Sequence, residues 1–278
     1  MLLRFFLLFS FTLLLPASTA GTEDQMELHL VLAFDVSASV NDAEFDLQRT
    51  GTAEALRDSS VVAAIEQAPG GVAIAIVQWS SITQQAVGLD WVHLSDADGI
   101  ANYADVVHVM PRRLPGGGTM IHAGLDFAAS MFETAPGTAR RRVIDLAANG
   151  QTDDTDKLRE SRNRLLRDGV VINGLAIEED DRGLTSYFYA KIIGGAGAFA
   201  VTADDFPVFA QAMKIKLHRE IAGSTLSNAP DRTRSAAQAS MPPSLSSPAS
   251  SIRRSKSGTV TWRLPSRCIT PSFLSAEI

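Results

Sequence analysis

Residues 28–39 read Leu28-His-Leu-Val-Leu-Ala-Phe-Asp-Val-Ser-Ala-Ser39, an apolar run that ends in Asp35, Ser37 and Ser39. A continuous Leu- and Val-rich run suits a strand buried on both faces of a parallel sheet. The three small oxygen-bearing side chains fall where such a strand gives way to loop. In open α/β sheets, ligands bind beyond the carboxyl ends of the strands, so these oxygens sit where chemistry is expected. One carboxylate and two hydroxyls are hard donors, suited to Mg²⁺, Mn²⁺ or Ca²⁺. The same residues also suit a plain N-cap and turn, because Ser and Asp favour helix starts. A second ligand segment is needed to separate the two readings.

Outward from this strand, apolar runs recur at 72–79, 143–148, 170–177 and 198–202. Helical patterns lie between them, near 42–66, 96–110, 120–133, 156–168, 184–192 and 204–222. This alternation predicts βαβ crossovers, hence an α/β fold with a doubly wound, mostly parallel sheet and helices on both faces. A shorter strand pair near 82–94, around Gly88-Leu-Asp90, is expected at an antiparallel edge. In the helix at 156–168, Leu158, Leu165 and Leu166 recur at i, i+7 and i+8 and should face the sheet. Arg159, Arg162 and Arg167 then form a solvated face.

The ends of the chain read differently. Arg4, the apolar stretch Phe5–Leu15 and the small residues of Pro16-Ala-Ser-Thr-Ala20 have the pattern of an export signal over residues 1–20. That stretch is too short to span a bilayer, so no stable membrane insertion is expected after cleavage. Residues 21–223 form the expected domain, with 17 Lys+Arg against 29 Asp+Glu. So acidic a domain repels phosphate backbones, which argues against nucleic acid as a partner. Residues 224–278 are rich in Ser, Pro and Arg, carry 7 Lys+Arg against 2 Asp+Glu, and are expected to be disordered. The single cysteine, Cys268, permits neither an intramolecular disulfide nor a thiolate zinc site.

The second ligand segment is Pro115-Gly-Gly-Gly-Thr-Met-Ile-His-Ala-Gly-Leu-Asp-Phe-Ala128. Its glycines let the backbone turn tightly and approach a ligand, and Thr119 opens an amphipathic helix. A third, Arg142-Val-Ile-Asp-Leu-Ala-Ala-Asn-Gly150, is another apolar strand that ends in a polar residue and glycine. Together the three resemble the von Willebrand factor A-like domain and its metal-ion-dependent adhesion site, in which Asp-x-Ser-x-Ser, a distant Thr and an Asp before Gly surround one divalent cation. The resemblance spans roughly 26–222. It extends to Glu44-Phe-Asp-Leu-Gln-Arg49 and to Ile193-Gly-Gly-Ala-Gly-Ala-Phe199, details similar to a bacterial family of exported proteins with this fold.

The resemblance implies direct ligation by Ser37, Ser39 and Thr119, with Asp35 acting mainly through bound water. One position departs from the pattern: Asn149 stands where the second aspartate is expected. An amide oxygen still accepts a hydrogen bond from metal-bound water but brings no charge, which weakens cation affinity. Asp145 lies too far down its strand to compensate, about 13 Å at ~3.3 Å per residue. Asp153 and Asp154 are better placed, though both also suit the cap of the next helix. Glu178-Glu-Asp-Asp181 reads as a solvated loop on the same edge.

The expectation is therefore an exported binding module, periplasmic or extracellular, whose cation captures an acidic group of a protein or peptide. The alternative is a degenerate, metal-free interaction domain. A metal-dependent hydrolase is the less favoured reading: there is no Gly-x-Ser-x-Gly elbow, no His-Glu-x-x-His, and no base at a recognisable offset from Ser37 or Ser39. His122, one turn after Thr119, reads as a helix-face histidine. The glycines at 116–118 lack the Gly-x-Gly-x-x-Gly spacing of a dinucleotide fold.

Overall fold

The structure is a computed structural model that describes residues 25–227. The export-signal expectation lies outside the described residues, as does the tail beyond Ser227. β1 (Gln25–Asp35) occupies the middle of a six-stranded sheet of order β3-β2-β1-β4-β5-β6. β2 (Val72–Trp79), β4 (Thr138–Ala148), β5 (Val170–Ile177) and β6 (Ala200–Ala203) are parallel. β3 (Gln85–Leu94) is antiparallel to β2 at one edge.

Every residue of β1 from Glu27 to Asp35 is buried. Because side chains alternate along a strand, its apolar run feeds two cores. Leu28, Leu30, Leu32 and Phe34 pack with α1 (Asp42–Arg57), α2 (Ser59–Glu66), α3 (Ala97–His108) and α7 (Phe209–Ser227). Val31 and Ala33 pack on the other face with α4 (Ile121–Ser130), α5 (Thr155–Arg167) and α6 (Leu184–Tyr187). The doubly wound α/β architecture expected from the alternation is the one found.

Four details differ from the sequence reading. The helical pattern over 42–66 breaks at Asp58, whose extended backbone closes α1 while its carboxylate caps α2 by accepting the Ser60 N–H at 2.9 Å. The expected strand pair near 82–94 is one strand, β3, with Gly88 inside it; a Cβ there would lie 2.8 Å from Met110 Sδ. Arg162 is not on a solvated face: half-buried, it donates to the Ile192 and Ile193 carbonyls that precede the Gly194 turn. The last helix runs past 223, to Ser227.

The sheet also buries charge. Asp145, in mid-β4, contacts the Lys216 ammonium of α7, and each side chain is at most 2% exposed. Burial lowers the Lys216 pKa, and Glu220 opposes that shift. Asn173 of β5 donates to Glu220, which also receives Arg141 at 3.1 Å. Asp145 is thus committed to the α7 interface, not to the strand ends. Replacing Lys216 by Met strands a buried carboxylate and should cost about 3–5 kcal/mol, whereas Lys216→Met with Asp145→Leu should recover most of it. Urea denaturation of the three proteins checks this.

Candidate functional site

From β1 the chain steps outward to β2 and β3, then returns to the other side of β1 as β4 and steps outward to β5 and β6. The strand order therefore reverses between β1 and β4, and loops leaving their carboxyl ends diverge to form a crevice. Asp35 ends β1, and Asn149 immediately follows β4. The topology alone brings these two together across more than a hundred residues of chain.

Asp35 is 1% exposed; its Oδ1 accepts the Ser37 N–H at 2.7 Å. Its Oδ2 is buried without a hydrogen-bond partner among the described residues. Burial pushes the Asp35 carboxyl up to about 6, opposed by Ser37, by the nearby Asn149 N–H and by the Arg112 charge. A buried, unpartnered carboxylate oxygen is costly unless a cation or proton meets it. Ser37 Oγ and Ser39 Oγ stand 3.1 Å apart. Ser39 Oγ donates to Asn149 Oδ1 at 2.8 Å, and Asn149 Nδ2 donates to the Ser39 carbonyl at 3.3 Å. That second bond orients the amide, and because the Ser39 hydrogen goes to Asn149, the Ser37 hydroxyl donates to Ser39 Oγ.

Thr119 joins this group through its loop. Gly117 O accepts the Ala38 N–H at 2.8 Å, so the glycine loop abuts the segment between Ser37 and Ser39. The half-buried Thr119 makes backbone bonds only, to Asp153 and Thr152; its hydroxyl is unpaired among the described residues. The structure thus brings Asp35, Ser37, Ser39 and Asn149 into one cluster and sets the Thr119 loop against it. His122 is buried in the first turn of α4, and neither ring nitrogen has a partner among the described residues.

The glycines act through close approach, since none of 116–118 has positive φ. A Cβ on Gly117 would lie 2.2 Å from Ser81 Oγ, and one on Gly116 would lie 3.0 Å from Ala38 Cα. Two side chains absent from the sequence reading hold the loops in place. Gln78, fully buried at the end of β2, donates to Pro111 O at 2.8 Å and accepts the Arg113 N–H at 2.7 Å. Arg112 donates to Val36 O at 2.9 Å, Val40 O at 2.8 Å and Leu114 O at 3.2 Å, so one guanidinium ties both ligand loops together. No motif flags Arg112. The signal would have been its place just before the glycine loop, beside carbonyls that helix and sheet leave unmatched.

Among the described residues, no cluster of three or more His, Cys, Asp or Glu is arranged to hold a metal. A cation at this edge would depend on hydroxyl and amide oxygens. The set fits a small octahedral ion: bonds of about 2.1 Å place adjacent ligands about 3 Å apart, close to the Ser37–Ser39 spacing.

The strand order and the helix layers give the chain a fold similar to that of solved von Willebrand factor A domains. The fold is similar to proximal thread matrix protein 1 from the mussel byssus, with a TM-score of 0.53, 17% identity and coverage of 70% of this chain and 47% of that one. It is similar to the vWF domain of the type V pili tip protein Mfa5 from Porphyromonas gingivalis, with a TM-score of 0.51, 13% identity and coverage of 72% and 96%. The PilB minor pilin from Streptococcus sanguinis gives a TM-score of 0.55, 12% identity and coverage of 76% and 65%. This chain spans about half the length of the byssus protein. The particular family is the one described as protein of unknown function DUF1194: its sequence profile matches residues 25–225, and the chain belongs to it. No curated protein matches.

Arg112→Met removes a charged donor from several loop carbonyls and should cost about 2–3 kcal/mol. Arg112→Lys should recover little, because an ammonium cannot reach the separated carbonyls as a planar fork does. Urea unfolding of both variants, with amide exchange at Val40, checks this.

Proposed function

We propose that this chain is an exported binding module, periplasmic or extracellular, that holds one divalent cation at the β1/β4 crevice and uses it to capture an acidic group of a protein or peptide. Ser37, Ser39 and Thr119 act as direct ligands; Asp35 and Asn149 act through water. The observation that carries this reading is the buried, unpartnered Oδ2 of Asp35 beside two hydroxyls 3.1 Å apart. Mg²⁺ or Mn²⁺ suits that spacing better than Ca²⁺, whose longer bonds spread its ligands. The bound ion would supply an electrophilic position that a partner's carboxylate completes. The chain's own residues position that ion and leave one side of it open.

The hydroxyl partners weigh against hydrolysis. Ser37 and Ser39 contact each other and an amide oxygen, and no imidazole takes a proton from either among the described residues; the carboxylate beside Ser37, Asp35, is buried and accepts the Ser37 N–H. A nucleophilic serine requires a base that takes its proton. The pilin and pilus-tip neighbours are in keeping with a non-enzymatic role. Export rests on residues 1–20; among the described residues no helix is long and apolar enough to cross a membrane.

A second reading, a metal-free interaction domain, is favoured by Asn149, which is neutral and bonds to Ser39 through both its oxygen and its nitrogen. Thermal unfolding of the full chain separates the two. Cation at a hundred times its Kd should add about 2.7 kcal/mol, or roughly 5–10 °C in a domain of this size. Ser37→Ala and Thr119→Ala should abolish the rise. No rise in the parent protein at millimolar Mg²⁺, Mn²⁺ or Ca²⁺ would establish the metal-free reading.

A further inference from the structure

The proposed cation site has an imbalance: Asn149 removes the charge that a second carboxylate would bring. The other acids near the strand ends are mostly engaged elsewhere. Asp145 pairs with Lys216 deep in the sheet. Asp154 caps α5 by accepting the Lys157 N–H at 2.9 Å. Glu178 accepts the Thr185 N–H at 2.8 Å, and Asp181 accepts Gln151 Nε2 at 2.8 Å and the Gly183 N–H at 2.9 Å.

Asp153 is different. It takes no part in capping α5, the role its position next to Asp154 suggests. Its Oδ2 instead reaches back across the crevice and accepts the Thr119 N–H at 3.0 Å, while its own N–H donates to Thr119 O at 3.1 Å. The pairing is reciprocal and spans the gap between the glycine loop and the loop after β4. Gly118 makes room for it, since a Cβ there would stand 2.9 Å from Asp153 Oδ2. No Lys or Arg among the described residues forms an ion pair with Asp153.

We infer that Asp153 supplies the second negative charge of this cation site, displaced from the strand end at 149 to the loop beside Thr119. This rests on the cation-binding reading above. Asp153 is a positioning and charge-supplying residue: its carboxylate orients the Thr119 backbone and offsets the ion's charge without taking a direct ligand position. With Asp35 it restores two carboxylates to the crevice, one buried beneath the hydroxyls and one exposed at the rim.

The test is Mn²⁺ binding by isothermal titration calorimetry on the full chain and on Asp153→Asn, Asn149→Asp and the double variant. Asparagine keeps an acceptor for the Thr119 N–H, so Asp153→Asn removes charge and little geometry; its melting temperature in chelator serves as the fold control. Loss of an outer carboxylate should weaken Mn²⁺ about 10–100-fold. Adding Asn149→Asp should return affinity to within about threefold of the parent, because the charge count is restored. That rescue reads charge even if Asp153→Asn lowers stability in chelator. Parent-like Mn²⁺ affinity in Asp153→Asn, or no rescue by Asn149→Asp, overturns the inference while leaving the cation site standing. No Mn²⁺ binding by the parent protein overturns the cation reading and this inference with it.

Discussion

β1 is enclosed on every side. Its backbone groups are taken by parallel ladders to β2 and β4, and its side chains alternate into two apolar cores. A strand so placed has nowhere to put a polar side chain except its end. The polar exceptions before that end have partners: Glu27 meets Arg141 at 3.6 Å, and His29 shares a hydrogen bond with Pro136 O at 2.9 Å. At Asp35 the ladder runs out, and the cluster of small oxygens begins. Burial of β1 and exposure of chemistry at its tip are consequences of one packing constraint.

The crevice follows from strand order. Because the chain passes to one side of β1 before crossing to the other, no loop fills the space between the β1 and β4 ends. The backbone there cannot pair within regular structure, yet it is partly buried, so its carbonyls need donors. Arg112 and Gln78 provide them, and Asp153 does the corresponding service for an N–H. These bonds tie the loops of the rim to one another. Asp35 keeps one oxygen satisfied and one not, and the proposed cation site rests on that asymmetry.

Much of this was legible in the linear chain. The apolar runs at 72–79 and 170–177 match β2 and β5 as observed, because fully buried strands have no solvent face to blur their pattern. Edge elements were less legible. β3 is mostly half-buried or exposed, so its buried glycine read as a turn when it is a point of close approach to Met110. The break at Asp58 was hidden because both flanking segments have helical periodicity, and only the cap geometry shows where one stops. Arg162 read as solvated because arginine usually is; its carbonyl partners come from a loop thirty residues on.

The sequence by itself determined the α/β class, the central strand and the types of donor at its end, because these depend on local pattern and on residue chemistry. Only the tertiary structure decided which donors meet. Asn149 engages Ser39 in both directions, Asp153 holds the Thr119 N–H in place of capping α5, and Asp145 turns to Lys216. Each of these outcomes joins side chains separated by tens of residues or more, and hydrogen-bond geometry over ångströms has no signature in linear spacing. The chain carries the inventory of oxygens; the reversal of strand order assembles them.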